Sequence, residues 1–247
     1  MCIAAVAWRA HPKWPLCILA NRDERHDREA APLASWGDGS GIVAGRDLES
    51  GGTWLGMSEA GRFALITNVH DPDARHPAPP SRGALVTDWL ARGKRPDDAR
   101  RYDPFNLIVG DSHGCRWITN NPAEATAELP PGIHGVSNGP MSAPWPKVRS
   151  LNATLAEGLA SGNIDPARML DVLGPRPEHS DDPRHGIFIR DPAYGTRCST
   201  VVAVGEDGRG WIVERRYDAR ANAIGTTRIE FPFQAINGAF PQGAVSP

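Results

Sequence analysis

The sequence lacks the features that mark secreted, metal-binding and membrane-spanning proteins. Its four cysteines, Cys2, Cys17, Cys115 and Cys198, are scattered and form neither a CxxC pair nor a zinc-ligand spacing. No apolar run approaches the length of a membrane span, and the apolar start breaks too soon for a secretory signal peptide. We therefore expect a cytoplasmic protein with reduced thiols, no metal and no membrane span.

An excess of charge of one sign is also missing. The chain carries 27 Lys and Arg against 29 Asp and Glu, a formal net charge of −2. Proteins that bind nucleic acids or anionic membranes usually present a basic excess, so this balance argues against both partners. A small-molecule substrate or ligand is the expected partner. The composition does not indicate whether the protein is a monomer or an oligomer.

Turn-forming residues, by contrast, are abundant. The 26 glycines and 23 prolines favour many turns between short strands. A chain of 247 residues is long enough for one substantial core, and no internal repeat, linker or low-complexity segment divides it. We predict a single domain over residues 1–247.

Two apolar runs near the start organise the predicted fold. The first, from Cys2 to Trp8, carries no charge, and the second begins at Leu16 and ends in the cluster Asn21–Glu24. Neither run alternates, so both faces of each strand should be buried. Residues 9–15 are polar and contain proline, which predicts a hairpin at the centre of a covered sheet. Such a hairpin brings Cys2 and the Asn21–Glu24 cluster to the same edge.

The remaining pattern predicts short strands with helices between them. Residues 25–38 are interpreted as a long loop. Predicted strands cover 41–45, 53–57, 63–68, 105–109, 115–119, 133–139, 198–204, 211–213 and 228–233. Helices are predicted from the N-cap Ser81 to Gly93, from Pro146, and over Pro166–Leu173. Many strands are apolar on both sides, and two packed sheets with helices outside each would cover them. This is a mostly antiparallel α/β fold, a four-layer αββα sandwich.

The predicted hairpin places Cys2, a potential nucleophile, beside the charged residues Arg22 and Asp23. Removal of Met1 would leave Cys2 with both a thiol, of unperturbed pKa about 8.5, and a free α-amine, of pKa about 7.7–8.0. One residue can then provide a nucleophile and a base. Arg22 nearby would favour the thiolate, and Asp23 could hold the amine or Arg22 in position. The alternative is that Cys2 is a small buried hydrophobic residue and nothing more.

Three further polar residues stand where apolar strands end: Asn68, Asn138 and Arg197. Two side-chain amides could stabilise the oxyanion of a tetrahedral intermediate. Arg197 could join Arg22 beside the thiolate or bind an acidic substrate. The alternative for each asparagine is ordinary turn chemistry.

A series of sequence blocks resembles the NRDE family, also named after Transport and Golgi organisation protein 2. The first is Asn21-Arg22-Asp23-Glu24 after an apolar strand, with Cys2 at the start. The tetrapeptide alone is a weak signal, but further blocks follow in order as far as about residue 200. They are Gly45-Arg46-Asp47-Leu48, Gly51-Gly52-Thr53-Trp54-Leu55-Gly56, Ala64-Leu65-Ile66-Thr67-Asn68, Ser81-Arg82-Gly83, Pro104-Phe105-Asn106-Leu107, Gly132-Ile133-His134-Gly135-Val136-Ser137-Asn138, Trp145-Pro146-Lys147-Val148 and Gly195-Thr196-Arg197.

The NRDE family is similar to N-terminal-nucleophile hydrolases of the choloylglycine hydrolase and penicillin V acylase type, which have an αββα fold. The resemblance implies that Cys2 is the nucleophile, with Arg22 and Asp23 beside it. It also implies that Asn68 and Asn138 flank the oxyanion and that Arg197 matches a late arginine. In the acylases two residues separate the early arginine from the aspartate, whereas Arg22 and Asp23 adjoin here. Adjacent strand residues face opposite sides, so Asn21 and Glu24 are possible substitutes for Asp23.

Two functions of different classes follow from the sequence. The first is an amidohydrolase that cleaves a non-peptide C–N amide bond through Cys2, without a metal or organic cofactor. The second is a non-catalytic carrier of haem or another flat hydrophobic ligand, because the NRDE family is associated with haem trafficking. The sequence shows no Cys-Pro haem motif, no CxxCH and no histidine pair on one helical face.

Overall fold

The computed structural model describes residues 2–71, 73, 78–142, 144–176 and 185–233. These residues form two antiparallel sheets and three α-helices. The strands are β1 (Cys2–His11), β2 (Trp14–Arg25), β3 (Ala30–Ser35), β4 (Ile42–Asp47), β5 (Leu55–Ser58), β6 (Phe63–Asn68), β7 (Phe105–Asp111), β8 (Gly114–Thr119), β9 (Ala125–Glu128), β10 (Gly132–Val136), β11 (Tyr194–Val204), β12 (Arg209–Tyr217) and β13 (Ala223–Pro232). The helices are α1 (Gly83–Arg92), α2 (Pro146–Ala160) and α3 (Pro166–Leu173).

The two sheets have different topologies. One follows the order β10-β1-β2-β11-β12-β13 and is called the first sheet; the other, the second sheet, runs from β3 to β9 in chain order. The first sheet therefore joins the beginning of the chain to its later strands, with β1 and β2 next to each other near its middle. The predicted N-terminal hairpin is present, although its strands continue to His11 and from Trp14, so the connection is shorter than the predicted loop over 9–15.

Three apolar layers separate the elements. Even-numbered residues of β1 and β2, such as Val6 and Ile18, pack against the second sheet through Leu65 and Ile108. Odd-numbered residues of the same strands face α2 and α3. On the far side of the second sheet, α1 packs against residues such as Ile66. The order is thus helix, sheet, sheet, helix, and the predicted αββα sandwich is confirmed.

The helices follow their sequence patterns except at one end. Val148, Leu151 and Leu155 form the buried face of α2, and Gly93 ends α1 in the left-handed conformation with φ of 65°. The prediction of Ser81 as the N-cap is wrong, because α1 begins at Gly83 behind Arg82 and has no side-chain cap. The chain there is held by backbone contact with another loop, and capping chemistry does not set the helix start.

Two edge strands were missed by the sequence patterns. Residues 25–38 contain β3 and are not a continuous loop; only Leu33 of β3 is buried. All four residues of β9 are exposed. Edge strands such as these carry no regular apolar alternation, so hydrophobic patterning does not find them. β12 covers Arg209–Tyr217 and is longer than the predicted 211–213, and β13 begins at Ala223, before the predicted start at 228.

Polar side chains join the two sheets at the end where Cys2 lies. The Thr67 hydroxyl donates to the Ser137 carbonyl at 2.7 Å, and the Asn106 side chain donates to the same oxygen at 3.1 Å. The Ser137 hydroxyl in turn donates to the carbonyl of Cys2 at 2.8 Å. Because these groups are buried, each bond removes a desolvation penalty. The network fixes the start of β1 relative to the end of β6.

Candidate active site

A cavity of about 420 Å³ opens at the end of β1, β2 and β6. Its lining combines four of the six predicted site residues with several charged side chains. The described lining residues are Cys2, Arg22, Asp23, Glu24, Arg28, Asp47, Ser50, Thr53, Trp54, Ile66, Asn68, Pro79, Pro80, Ser81, Arg82, Gly83 and Asp103. The structure therefore brings Cys2, Arg22, Asp23 and Asn68 together, whereas Asn138 and Arg197 do not line this cavity.

Cys2 lies on the inner face of the first sheet, opposite Arg22 in the register of β1 and β2. The residue is partly exposed to the cavity, but burial of its sulfur raises the pKa of the thiol. The charge of the amino terminus lowers this pKa, the negative charge of Asp23 raises it, and a backbone hydrogen bond from Asp23 and the charge of Arg22 lower it by less. This is the reverse of the predicted direction, because desolvation outweighs one arginine. Cys2 thus needs a base to become a nucleophile.

Arg22 is fixed between an anion and an aromatic ring. Its Nη2 donates to Oδ2 of Asp47 at 2.9 Å, and its guanidinium carbon lies 4.4 Å from the centroid of the Trp54 ring. Burial opposes ionisation of Asp47, but hydrogen bonds from Arg28 and Ser50 outweigh it and lower the pKa of Asp47 to about 2. Arg22 is therefore a rigid, permanent cation beside Cys2.

Two glycines make this clamp possible. A Cβ at Gly45 would lie 2.6 Å from the Trp54 ring, so only glycine lets that ring stack on Arg22. A Cβ at Gly52 would lie 2.6 Å from the backbone of Gly83, and this contact joins the loop before Trp54 to the start of α1. Three separate sequence blocks therefore support one side chain, Arg22.

Asp23 faces the opposite side of β2 from Arg22, as the alternation of a strand requires. Its Oδ1 accepts a hydrogen bond from the Thr196 hydroxyl at 2.6 Å. Burial raises the pKa of Asp23 to about 6, although the charge of the amino terminus, the charge of Lys147, the bond from Thr196 and the charge of Arg22 lower it. Asp23 nevertheless lines the cavity, close to the point where β1 begins at Cys2 opposite Arg22.

The two possible substitutes for Asp23, Asn21 and Glu24, differ in whether they line the cavity. Asn21 is buried on the helix side, where its amide donates to the carbonyls of Leu173 and Ile187 at 2.9 and 3.0 Å. It does not line the cavity. Glu24 does line it, but its Oε2 lies 3.9 Å from Arg28, which it helps to hold. The geometry favours Asp23 for a role beside Cys2.

The two asparagines have different environments. Asn68 ends β6 and lines the cavity, and its side-chain amide has no hydrogen bond to another described residue. Asn138 is buried, and its Nδ2 donates to the backbone carbonyl of Asn68 at 2.6 Å. Asn138 thus supports the backbone that carries Asn68. Of the two predicted oxyanion donors, only Asn68 is placed to meet a ligand directly.

Arg197 points away from Cys2. Its Nη1 donates to the backbone carbonyls of Arg25, His26 and Arg28, at 2.7, 2.9 and 3.2 Å. The residue sits at a bulge between Thr196 and Cys198, where β11 shifts register against β2. The bulge redirects its side chain to the segment after β2. Arg197 therefore shapes the loop that carries Arg28 and does not touch the cavity.

Several residues of the site were not singled out as such from the sequence. Asp47, Trp54 and Arg82 line the cavity, and Lys147 lies close enough for its charge to act on Cys2 and Asp23. All four stand in the blocks that carry the family resemblance. The blocks were the signal that could have found them, but a block does not say which residue faces the site.

A second cavity, of about 270 Å³, lies beside α3 and residues 185–190. Its described lining includes Ser150, Arg176 and His185, and it contains none of the predicted site residues. We therefore take the cavity at Cys2, which contains four of the predicted residues, as the candidate site.

The arrangement of layers is shared with a solved structure. A mutant conjugated bile acid hydrolase from Clostridium perfringens superposes with a TM-score of 0.51, at 9% identity, over 96% of this chain and 94% of that chain. This likeness shows the fold, an αββα sandwich. Residues 1–219 match the family Transport and Golgi organisation 2, and the chain belongs to that family.

Named relatives agree over most of their length. The Transport and Golgi organization protein 2 homolog of Homo sapiens is 29% identical over 256 residues, covering 87% of this chain and 92% of that protein. The Transport and Golgi organization 2 homolog of Mus musculus is 27% identical, covering 95% of this chain and 100% of that protein. In the described part of the chain, no helix combines the length and hydrophobicity needed to cross a bilayer.

Proposed function

We propose that this protein is an N-terminal cysteine amidohydrolase that cleaves the C–N amide bond of a small polar molecule, with Cys2 as the nucleophile after removal of Met1. The observation that carries the proposal is that Cys2, Arg22, Asp23 and Asn68 share one cavity at the start of β1. All four cysteines are free, which supports a cytoplasmic location.

The base in this mechanism is the α-amine of Cys2. Because Cys2 pairs with Arg22 in an antiparallel register, the backbone nitrogen of Cys2 lies on the side of Asp23. The thiol proton passes to this amine, and the ionised Asp23 stabilises the resulting ammonium while Arg22 stabilises the thiolate. An internal base meets the requirement set by the raised pKa of Cys2.

The sulfur then attacks the acyl carbon of the substrate. The carbonyl oxygen becomes an oxyanion, to which the side-chain amide of Asn68 donates. The ammonium of Cys2 gives its proton to the departing amine nitrogen, and the C–N bond breaks to leave a thioester. Water attacks the thioester, the α-amine accepts a proton from that water, and the free thiol and a carboxylic acid are released.

The character of the cavity wall supports a polar substrate. Pockets for drug-sized apolar ligands are lined mainly by hydrophobic and aromatic side chains. Here the apolar lining residues Trp54, Ile66, Pro79 and Pro80 are outnumbered by charged ones. Among these, Arg82 has its Nη1 bonded to the Pro104 carbonyl at 3.0 Å, which fixes a cation at the wall.

The carrier hypothesis has less support. Haem requires apolar contacts for its ring and an axial ligand such as histidine, methionine, cysteine or tyrosine. Of these residue types, Cys2 alone occurs among the described lining residues of the cavity, and the rest of the wall is largely charged. These residues do not fit a bound haem, so we derive no role for it.

The proposal is tested with protein whose intact mass shows loss of Met1. We expect such protein to hydrolyse chromogenic anilides of short polar acids, and rapid acid quenching to leave an acyl group on the N-terminal peptide. The acyl group is held there as a thioester of Cys2, and it raises the mass of that peptide. Absence of both turnover and adduct across the anilide series, in protein shown to lack Met1, would overturn the hydrolase.

Substitutions of the two asparagines should have different effects, one on catalysis and the other on stability. We expect Asn68→Ala to lower kcat by about 10²–10³-fold, the effect of losing one oxyanion donor, with little change in stability. Asn138→Ala should instead lower the free energy of unfolding by roughly 1 kcal/mol or more, since it leaves the partly buried Asn68 carbonyl without this hydrogen bond. Urea unfolding and steady-state kinetics measure both. The reverse pattern would contradict the assignment.

A further inference from the structure

Lys147 is a buried cation that the proposed mechanism does not use. It is the second residue of α2 and is only 1% exposed. Its Nζ has no hydrogen-bond partner among the described residues, and the nearest aromatic ring is that of Trp145, with its centroid 5.5 Å away. Burial of an ammonium without a hydrogen-bonded partner is costly. A lysine at this position therefore calls for a reason other than stability.

The packing of α2 indicates what Lys147 faces. Val148 and Leu151 of α2 pack against Ile3 and Ala5, on the odd-numbered face of β1. Asp23 is on the odd-numbered face of β2 and is itself buried. Lys147 and Asp23 thus both lie on the helix-covered side of the first sheet, near the strand end at which β1 begins. Burial lowers the pKa of Lys147, and the negative charges of Asp23 and Cys2 raise it, so Lys147 interacts electrostatically with both groups.

Other described groups around Asp23 come from β11, β1 and β2. From β11, the Thr196 hydroxyl donates to its carboxylate and the Tyr194 hydroxyl donates to its backbone carbonyl, each at 2.6 Å. From β1, the Cys2 thiol accepts a hydrogen bond from the backbone of Asp23, and on β2 Arg22 contributes a weaker favourable charge than Lys147 does. Of the two cationic side chains, Lys147 therefore has the larger effect on this carboxylate, and the charge of the chain's amino terminus acts more strongly than either.

We propose that Lys147 is a positioning residue of the Cys2 centre, whose charge keeps the Asp23 carboxylate ionised and directed at the nitrogen of Cys2. This inference rests on the proposed function, because it assigns Lys147 to the proton transfer of that mechanism. When the thiol proton moves to the α-amine, a thiolate and an ammonium form. An ionised Asp23 stabilises the ammonium, whereas a protonated Asp23 does not. Lys147 touches no substrate in this role.

The experiment follows the titration of Asp23 directly. Protein labelled with ¹³C at aspartate carboxyls is titrated by NMR, and the Asp23 signal is assigned through Asp23→Asn. We expect Lys147→Met to raise the midpoint of Asp23 by about one pH unit, a tenfold change in its ionisation. Lys13→Met, which removes an exposed lysine, should leave the midpoint unchanged. The acid limb of kcat/KM should move upward with the Asp23 midpoint.

A structural role predicts a different result. If Lys147 only packed the helix, Lys147→Met would lower the thermal midpoint and leave the Asp23 titration unchanged, and that outcome overturns the inference. We expect an unchanged or higher thermal midpoint, because the substitution removes a buried charge. If Lys147→Met does not fold, the Asp23 titration is repeated with Lys147→Arg, which keeps the positive charge. An unchanged Asp23 midpoint in that variant supports the inference, and a shift of one pH unit refutes it.

Failure of the inference and failure of the proposed function remain distinguishable. The NMR titration needs no substrate, so a shifted Asp23 midpoint supports Lys147 even if wild-type protein hydrolyses no amide. Conversely, amide hydrolysis with an unmoved midpoint in Lys147→Met keeps the hydrolase and removes Lys147 from its mechanism.

Discussion

Cys2→Ala should abolish amide hydrolysis while the protein remains folded. Loss of the nucleophile removes the acyl-enzyme route altogether, and in a protease such a loss costs a factor on the order of 10⁶ in kcat. Alanine fits the end of β1 because Cys2 is small and partly exposed, so we expect a stability cost of only about 1 kcal/mol. Steady-state kinetics and thermal unfolding of the same preparations measure the two effects.

A matched control separates an N-terminal nucleophile from an ordinary cysteine. A chain with two residues added before Met1 keeps the Cys2 thiol but converts its α-amine into an amide. We expect this extended protein to be as inactive as Cys2→Ala, because burial raises the pKa of the Cys2 thiol and no base would then accept its proton. Full activity of the extended protein would contradict the role of the α-amine, even if Cys2→Ala were inactive.

The fold was predictable because it depends on burial, which leaves a strong trace in sequence. β1 and β2 are apolar on both faces, and this alone requires a layer on each side of the first sheet. Periodicity likewise revealed the apolar face of α2. The edge strands β3 and β9 bury almost nothing, so their existence depends on pairing with a neighbour that local sequence does not show.

The candidate site was predictable in its membership but less so in its geometry. Cys2, Arg22, Asp23 and Asn68 were named from strand ends and block resemblance, and they share one cavity. The direction of Arg197 depends on a bulge in β11, and bulges have no sequence signature that could have shown it. The pKa of Cys2 depends on the balance of burial against charge, which only a three-dimensional arrangement determines.

The alternation of side chains along β2 explains how the adjacent residues Arg22 and Asp23 serve the same site. Arg22 lies on the inner face and meets Asp47 and Trp54 of the second sheet. Asp23 lies on the outer face and meets Thr196. In the proposed mechanism, these adjacent residues stabilise the thiolate and the ammonium of Cys2, one from each side of the strand. Because the two residues are adjacent, they face opposite sides of β2. Each side chain is therefore held by its own partners, and both still line the cavity.

Arg22→Met should have the second largest effect, on both Cys2 and the fold. Removing the cation raises the pKa of the Cys2 thiol, since the charge of Arg22 lowers that pKa. We expect the pH midpoint of iodoacetamide reaction at Cys2 to rise by about one unit, and turnover near neutral pH to fall about tenfold or more. The other cysteines provide an internal comparison, because burial raises the pKa of the Cys115 thiol to about 12.

The accompanying loss of stability should be moderate. Removing one partner of a buried ion pair costs about 3–5 kcal/mol when the other charge is left alone, but Asp47 keeps Arg28, whose Nε lies 2.7 Å from its Oδ2. We therefore expect a loss of about 2 kcal/mol at pH 7. The pKa of Asp47 is lowered from 3.8 to about 2, so its contribution is complete above pH 4 and is lost as the pH falls towards 2.

Arg28→Met is the matched control for this prediction. It takes a different arginine from the same carboxylate, but the arginine that stacks on Trp54 is Arg22, and Arg28 is not among the main charges that shift the pKa of Cys2. Urea unfolding should show a comparable loss of stability in both variants, while only Arg22→Met should move the pH midpoint of Cys2 alkylation. Equal shifts in the two variants would mean that the midpoint reports general loosening of the cavity, and Arg22 would then lose its assigned role beside the thiolate.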